Sequence, residues 1–310
     1  MTDNFSLEKN MFDSSCISDY MGCPRLFYYA WVRRLVPREE KPSLTFGKVF
    51  HEVLLEWYRT GKVEEAEKKL EQLPSSITMD GLTKEWGVSI FKQYVERYRV
   101  EAGKTLHLEV KFRVEMVAHC PFCGSREQKK LEGESSRGDT QCLGCLRLYF
   151  SSRIYAGTID RIEDWNGQIY VDDHKTSASL QLSDCSHRPS PQMDGYCYAC
   201  RELVGKCHGV IINGISTAKN PKERFQRFPS SRTERELEQW KEVFVDATDR
   251  IIQDVERGHF PMSTSHCNRW GKCKFWNLCV YGEEEKRVEQ EFKVEEVKVE
   301  IKTEEKERAE

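Results

Sequence analysis

Gly157-Thr-Ile-Asp160-Arg-Ile-Glu-Asp-Trp-Asn166-Gly167-Gln-Ile-Tyr-Val171-Asp-Asp173-His174-Lys175-Thr176 is the stretch of this 310-residue chain that says most about its fold. Asn-Gly between two runs of alternating apolar residues marks a two-residue hairpin loop, because both positions of a type I′ turn need positive φ. Folding about that turn sets Trp165 opposite Gln168, Ile162 opposite Val171 and Asp160 opposite Asp173. Directly opposed carboxylates have Cβ atoms about 5 Å apart and repel; a fold tolerates them when a cation lies between. Lys175, two residues past Asp173, projects from the same face. Two acids and an ammonium at the end of an apolar face suit phosphodiester hydrolysis. Asp160 and Asp173 hold Mg²⁺ or Mn²⁺, and Lys175 orients the attacking water and offsets the charge that builds on phosphorus. The competing reading is a surface hairpin with solvated charges.

Outward from the hairpin, the pattern is mixed α/β. Helical spacing predicts a first helix capped at Asp13 or Ser14 and running to Leu35, a second from Leu44 and a third over 82–102. Alternation predicts strands over 106–117, 148–164 and 168–173. After the hairpin come a helix over 192–204, a strand over 209–215 and a basic loop over 219–232. In that loop Lys219, Lys222, Arg224, Arg227 and Arg232 interleave with Phe225 and Phe228 as a candidate phosphate track. Thr233 and Glu236 are spaced as a capping box for a long helix to Arg257.

Gly157-Thr-Ile-Asp160-Arg-Ile followed by Val171-Asp-Asp173-His174-Lys175-Thr resembles the nuclease core of the PD-(D/E)XK superfamily, in its RecB-like branch. Three further pieces fall in that family's order: Gly47-Lys-Val-Phe-His51, Gln192-x-x-x-Tyr196 and Cys23-Pro-Arg-Leu-Phe-Tyr-Tyr. The resemblance implies that His51 joins the metal site, that His174 offers its backbone carbonyl to the metal while its ring points to the other face, and that Gln192 and Tyr196 lie near DNA. Ile159 stands where the superfamily's name has proline. Glu109 is not assigned to the site.

Thirteen cysteines in a chain with no secretory signature read as metal ligands where they cluster in polar segments. Cys120-x-x-Cys123 and Cys142-x-x-Cys145 carry the spacing of a zinc ribbon, a closed four-thiolate Zn²⁺ site inserted between two strands. Cys267, Cys273 and Cys279 supply three thiolates and need a fourth ligand from elsewhere. One cysteine far upstream and three downstream resembles the [4Fe–4S] arrangement of RecB-like and CRISPR-associated exonucleases, which favours Cys23. Cys16 as fourth ligand, or zinc in place of the cluster, remains open. Arg269, Trp270, Lys272, Lys274 and Phe275 mix cations with aromatic rings around these cysteines, a surface suited to a single strand. Cys185, Cys197, Cys200 and Cys207 carry no comparable pattern, and core packing is expected for the Cys197/Cys200 pair.

No apolar run approaches the roughly 18–20 residues of a membrane span, and 32% of residues are charged. The N-terminus lacks a signal-peptide core, so a cytoplasmic location is expected. Net charge is −3, but residues 283–310 hold 12 acidic and 7 basic residues, leaving a weakly basic body.

The expected fold is α/β: a restriction-endonuclease-like core with a mixed central sheet flanked by helices, an inserted zinc ribbon and a C-terminal iron–sulfur clamp. The nuclease domain is expected over 1–282, with the ribbon at 118–147, the clamp cysteines in 259–282 and a charged, disordered or solvated-helix tail over 283–310. The expected activity is metal-dependent cleavage of DNA, favouring single-stranded ends, in recombination, repair, phage replication or CRISPR adaptation. No phosphate-binding glycine loop of a helicase occurs, so any unwinding or recombination partner is a separate chain. The rivals are a non-catalytic DNA-binding scaffold on the same fold and an iron–sulfur redox protein.

Overall fold

A mixed sheet with helices on both faces organises the computed structural model, which describes residues 11–74, 81–100, 103–117, 120–131, 138–180, 187–269 and 271–295. The chain opens with β1 (Met11–Phe12), α1 (Ser14–Gly22), α2 (Pro24–Phe27) and a π-helical turn to Val32. It continues through β2 (Leu35–Pro37), α3 (Pro42–Thr60), α4 (Val63–Glu67) and α5 (Lys84–Arg97). The long strand β3 (Lys104–Val117) leads to three short strands, β4 (Gln128–Lys130), β5 (Thr140–Cys142) and β6 (Leu148–Tyr149). The hairpin follows as β7 (Ser152–Trp165) and β8 (Gln168–Ser177), then α6 (Pro191–Val204), β9 (Gly209–Ser216), β10 (Phe225–Ser231) and α7 (Glu234–Arg257). Last come α8 (Trp276–Tyr281), α9 (Glu285–Glu291) and β11 (Phe292–Val294).

The sheet runs β1-β7-β8-β9-β10, with β3 along the far edge of β7. β8 and β9 are parallel, as are β1 and β7; the other pairs are antiparallel. β9 is buried on both faces, which is why it reads as an apolar run broken only by Asn213 between Gly209 and Ile215. On one face Ile162, Val171 and Ile212 pack against Ile17 of α1, Met193 of α6 and Trp240 of α7. On the other, Phe50, Val53, Ile90 and Phe91 of α3 and α5 cover Ile215. The capping box forms, with Thr233 and Glu236 each accepting from the other's backbone N–H; such a cap contributes about 1 kcal/mol.

Three expectations need correction. The first helix breaks at Cys23, whose extended backbone (φ −162°, ψ 109°) is what a following proline demands. The basic stretch 219–232 contains a strand, β10, antiparallel to β9 from Phe225–Ile215 to Ser231–Gly209. The arginines of this stretch concealed it: Arg232 is buried against a carboxylate, and Arg224 and Arg227 are half-buried against aromatic rings. The segment after Gly282 is docked as far as Glu295: β11 pairs with β2, and Phe292 is buried with its ring 5.3 Å from Phe275. One aromatic residue anchors a segment whose average composition reads as solvated. Residues 296–310 lie outside the described residues, as do Cys185 and Trp270.

Candidate functional site

The site grows out of a gap in the sheet. β3 lines one edge of β7 along its length. On the other edge, β1 pairs at Ile154–Tyr155 and β8 at Arg161–Trp165, so residues 156–160 have no strand beside them there. Asn166 and Gly167 adopt φ of +54° and +87°, and the hairpin has the expected register from Trp165–Gln168 to Arg161–Asp172. The ladder then stops one pair short of Asp160 and Asp173. Asp160 accepts a hydrogen bond from the backbone N–H of His174 at 3.0 Å, and Asp173 pairs with Ile212 of β9. The expected face-to-face pair is therefore a splay: β8 follows β9, with which it pairs from Tyr170 to Ser177, and the two carboxylates line a fork between diverging strands.

α3 enters this fork closely because residue 47 is glycine. A Cβ there would lie 2.8 Å from Thr176 Oγ1. One turn further along, His51 Nδ1 comes 3.4 Å from Asp160 Oδ2. Asp173 is 2% exposed and meets Lys175, whose Nζ lies 2.8 Å from Oδ2 and 3.1 Å from Oδ1. Lys175 also donates to Gln192 Oε1 at 3.0 Å, and Gln192 Nε2 donates to the Tyr196 hydroxyl at 3.1 Å. The histidine, both acids, the lysine and the glutamine–tyrosine pair are thus brought together from α3, β7, β8 and α6.

The electrostatics are those of a crowded anionic pocket. Burial pushes the Asp173 carboxyl up, Lys175 opposes this, and the Asp160 charge adds to it. Burial also works to raise Asp160, but the His51 hydrogen bond, the charges of His174 and His51 and the His174 amide hold it well below the usual carboxylate range. Burial lowers His51, yet Asp160 more than compensates and its pKa is raised. Such a donor set, oxygen-rich with one imidazole and more negative than its single lysine can offset, fits a hard divalent cation. His174 points its ring to the opposite face, where burial lowers its pKa to about 4. There Nδ1 lies 2.9 Å from Asn213 Nδ2 and the ring stacks on Tyr58.

Sequence reading missed what lies beneath that ring. Arg161, with no exposed side chain, donates to Asp172 at 3.0 Å and Glu163 at 2.7 Å and lies over Tyr58. Tyr58, Tyr94, Asn213 and Arg227 extend the network. The signal was present, since the register that aligns Asp160 with Asp173 also pairs Arg161 with Asp172 on the other face. Glu109 sits in left-handed conformation (φ +46°), exposed, where the β3–β7 ladder skips the position opposite Asp160.

The candidate phosphate track is mostly internal wiring. Arg232 is buried against Asp194, Arg227 lies over the Tyr98 ring, and Arg224 donates to the carbonyls of Ser216, Ala218 and Lys219. Lys219 and Lys222 remain at the surface.

The cysteines fall into two separate groups. Cys120, Cys123, Cys142 and Cys145 have all four sulfurs within 4.8 Å of one another, with Cys120–Cys145 at 3.6 Å and Cys123–Cys142 at 3.5 Å. Those are edge lengths of a tetrahedron with metal–sulfur bonds of about 2.3 Å, so four cysteines are placed to hold one metal ion. Backbone N–H groups of Cys145 and Gly144 lower the Cys142 thiol to about 6. Cys23, Cys267, Cys273 and Cys279 line a cavity with His266 and Phe275. Among the described residues these four do not form a single-ion group. Cys16 is not in this cavity but buried in the main core. Cys197 and Cys200 are buried in that same core, as expected of packing residues. Lys272 and Lys274 lie over the Trp276 and Phe275 rings beside the cavity.

A family model of the PD-(D/E)XK nuclease superfamily matches residues 14–280. Among solved structures, a putative exonuclease from Eubacterium rectale is similar over 91% of each chain, at 12% identity and a TM-score of 0.47. The protein SSO0001 is similar over 89% of each chain, at 12% identity and a TM-score of 0.33. A search of curated proteins finds no match. Among the described residues no helix is long and apolar enough to cross a membrane.

Proposed function

The chain belongs to the PD-(D/E)XK nuclease superfamily, and from that premise we propose that it is a divalent-metal-dependent DNA nuclease of the RecB-like branch, acting on single-stranded ends. The observation that carries this reading is the fork where β7 and β8 part, which gathers His51, Asp160, Asp173 and Lys175 around one point. Asp160, Asp173, His51 and the His174 carbonyl are the groups to hold Mg²⁺ or Mn²⁺. When bound, such an ion polarises a phosphate oxygen and lowers the pKa of a water.

The chain's own residues supply the rest. Lys175 is held between Asp173 and Gln192, so its ammonium is fixed in place to orient the attacking water and offset charge on the phosphate. The His51 hydrogen bond, with the hydrogen bond from the His174 backbone N–H, favours the ionised form of the Asp160 carboxylate. Gln192 and Tyr196 extend the same wall toward the strand being cut.

In this reading Cys120, Cys123, Cys142 and Cys145 hold Zn²⁺ in a ribbon, and Cys23, Cys267, Cys273 and Cys279 hold a [4Fe–4S] cluster. The pathway is one of DNA end processing in the cytoplasm. Labelled single-stranded DNA with Mn²⁺ tests the activity. Cleavage is expected, and Lys175→Ala is expected to lower it by about 10²–10³-fold without changing the melting temperature. Equal residual cleavage by parent and variant would falsify the site assignment, and none by either leaves the scaffold reading.

A further inference from the structure

Beside the fork, at the C-terminal ends of β8 and β9, lies a cleft of about 450 Å³ that the catalytic groups do not use. Its walls are Lys41–Ser43 at the start of α3, Thr176–Ala178 directly after Lys175, and Thr217–Lys219. Lys41 also lines a second, larger groove of about 890 Å³ that runs on to Arg38, Lys272 and Lys274 beside the clamp cysteines. Lys41 is thus a wall common to the two cavities, one beside the fork and one beside the clamp cysteines.

The first cleft is built rather than incidental. Arg224 holds the carbonyls of Ser216 (3.0 Å), Ala218 (2.6 Å) and Lys219 (3.0 Å), and Trp86 Nε1 holds that of Thr217 (2.9 Å). Four successive backbone positions are thus pinned, which fixes the base of Lys219. Gly47 against Thr176 fixes the opposite wall. Lys41 and Lys219 are exposed, and among the described residues neither forms an ion pair. In the second groove, Arg38 donates to a backbone carbonyl and Lys272 to the Asn277 amide oxygen, so neither charge is neutralised by a carboxylate. Of the acids there, Glu40 is paired with Lys48, while Glu39 and Glu291, the latter accepting only from the neutral Asn277 amide, keep their charge against Arg38, Lys41, Lys272 and Lys274. A rigid cleft with unpaired cations and hydroxyls, beside a phosphate-cleaving site, has the chemistry of a phosphodiester track.

We propose that the uncut part of a single-stranded DNA substrate runs from the fork through the cleft between Lys41 and Lys219 and along the groove to Lys272 and Lys274. Ser43 lies eight residues before His51 on α3, about 12 Å along the helix, so the cleft meets the strand a few nucleotides from the cut. The inference rests on the nuclease reading for its direction, but binding does not require cleavage.

The test is fluorescence anisotropy of a labelled 12-nucleotide single strand in Ca²⁺, titrated with NaCl. The protein pair is the full chain and its Lys41→Ala/Lys219→Ala variant, with Lys68→Ala, an exposed lysine outside both cavities, as the charge control. The double variant is expected to bind about tenfold more weakly, with its log–log salt slope shallower by about 1.4, since each single-strand phosphate contact contributes about 0.7. The Lys68 variant is expected to match the parent. An unchanged slope in the double variant overturns the track, as does an equal loss in the Lys68 control. Tighter binding of the same sequence as RNA or as duplex overturns the assignment to single-stranded DNA. Absence of Mn²⁺-dependent cleavage alongside the expected slope change would count against the nuclease reading alone.

Discussion

Two regions of this molecule gather four cysteines each, and they differ in what they join. The ribbon closes a short span, Cys120 to Cys145, and brings its sulfurs to single-ion spacing. Among the described residues its buried cluster is Cys120, Cys142 and Tyr149, with Phe122 and Cys145 packed against it, too little apolar surface to order some thirty residues against their conformational entropy. The clamp has Tyr29, Leu35, Phe275 and Phe292 packed around its cysteines, yet it joins Cys23 to residues more than 240 positions away. A ligand set that closes a short loop decides the fold of that loop. The proposed cluster, closing nearly the whole chain, would decide how the ends sit on the core, including the π-helical turn and β2 that lead into α3 and His51.

That difference predicts the order of effects. The largest belongs to Cys23→Ala. Removing the tie releases a loop of more than 200 residues, which in a chain-entropy account costs on the order of 5 kcal/mol. A fall in melting temperature of about 8 °C and loss of nuclease activity are expected in anaerobically purified protein. A variant that melts within a few degrees of the parent would show that apolar packing alone holds the clamp.

Cys142→Ser should act locally. Limited proteolysis is expected to cut within 120–149, zinc content to fall by one equivalent, and the melting temperature of the rest to change by only a few degrees. Chelation of the parent at neutral pH should reproduce this pattern while leaving any iron absorbance in place. Simultaneous loss of both metals would erase the distinction between the regions.

The sequence discloses the two sites unequally, for physical reasons. Paired CxxC knuckles are a local pattern, and Cys120, Cys123, Cys142 and Cys145 meet as their spacing requires. The hairpin register was equally local: one Asn-Gly turn set every pair from Trp165–Gln168 to Arg161–Asp172. What escaped is long-range. Whether Asp160 keeps its cross-strand partner depends on β9 pulling β8 away, which no turn residue encodes. The choice of Cys23 over Cys16 as a neighbour of Cys267 depends on how α1 and α2 pack. β10 was hidden because Arg224, Arg227 and Arg232, within it and at its ends, bond to carbonyls, hydroxyls and a carboxylate of the fold, so a half-buried strand carried the composition of a loop.

The smallest effect should come from the ribbon's docking on α7. Gln253 donates to the Pro121 carbonyl, and Arg147, stacked on the Phe122 ring, meets Glu256 at 3.1 Å. That ion pair is more than half exposed on both sides, a setting in which salt screens the attraction and long side chains lose entropy to hold it. Arg147→Ala is therefore expected to cost less than about 1 kcal/mol, seen as a melting shift of a degree or two that shrinks further in high salt. Protease sensitivity within the ribbon should hardly change, because the four sulfurs and not the docking contact order it. If Arg147→Ala opened the ribbon as fully as Cys142→Ser, the insert would be folded by α7 rather than by its metal. The contrast between a self-sufficient ribbon and a chain-spanning clamp would then be lost.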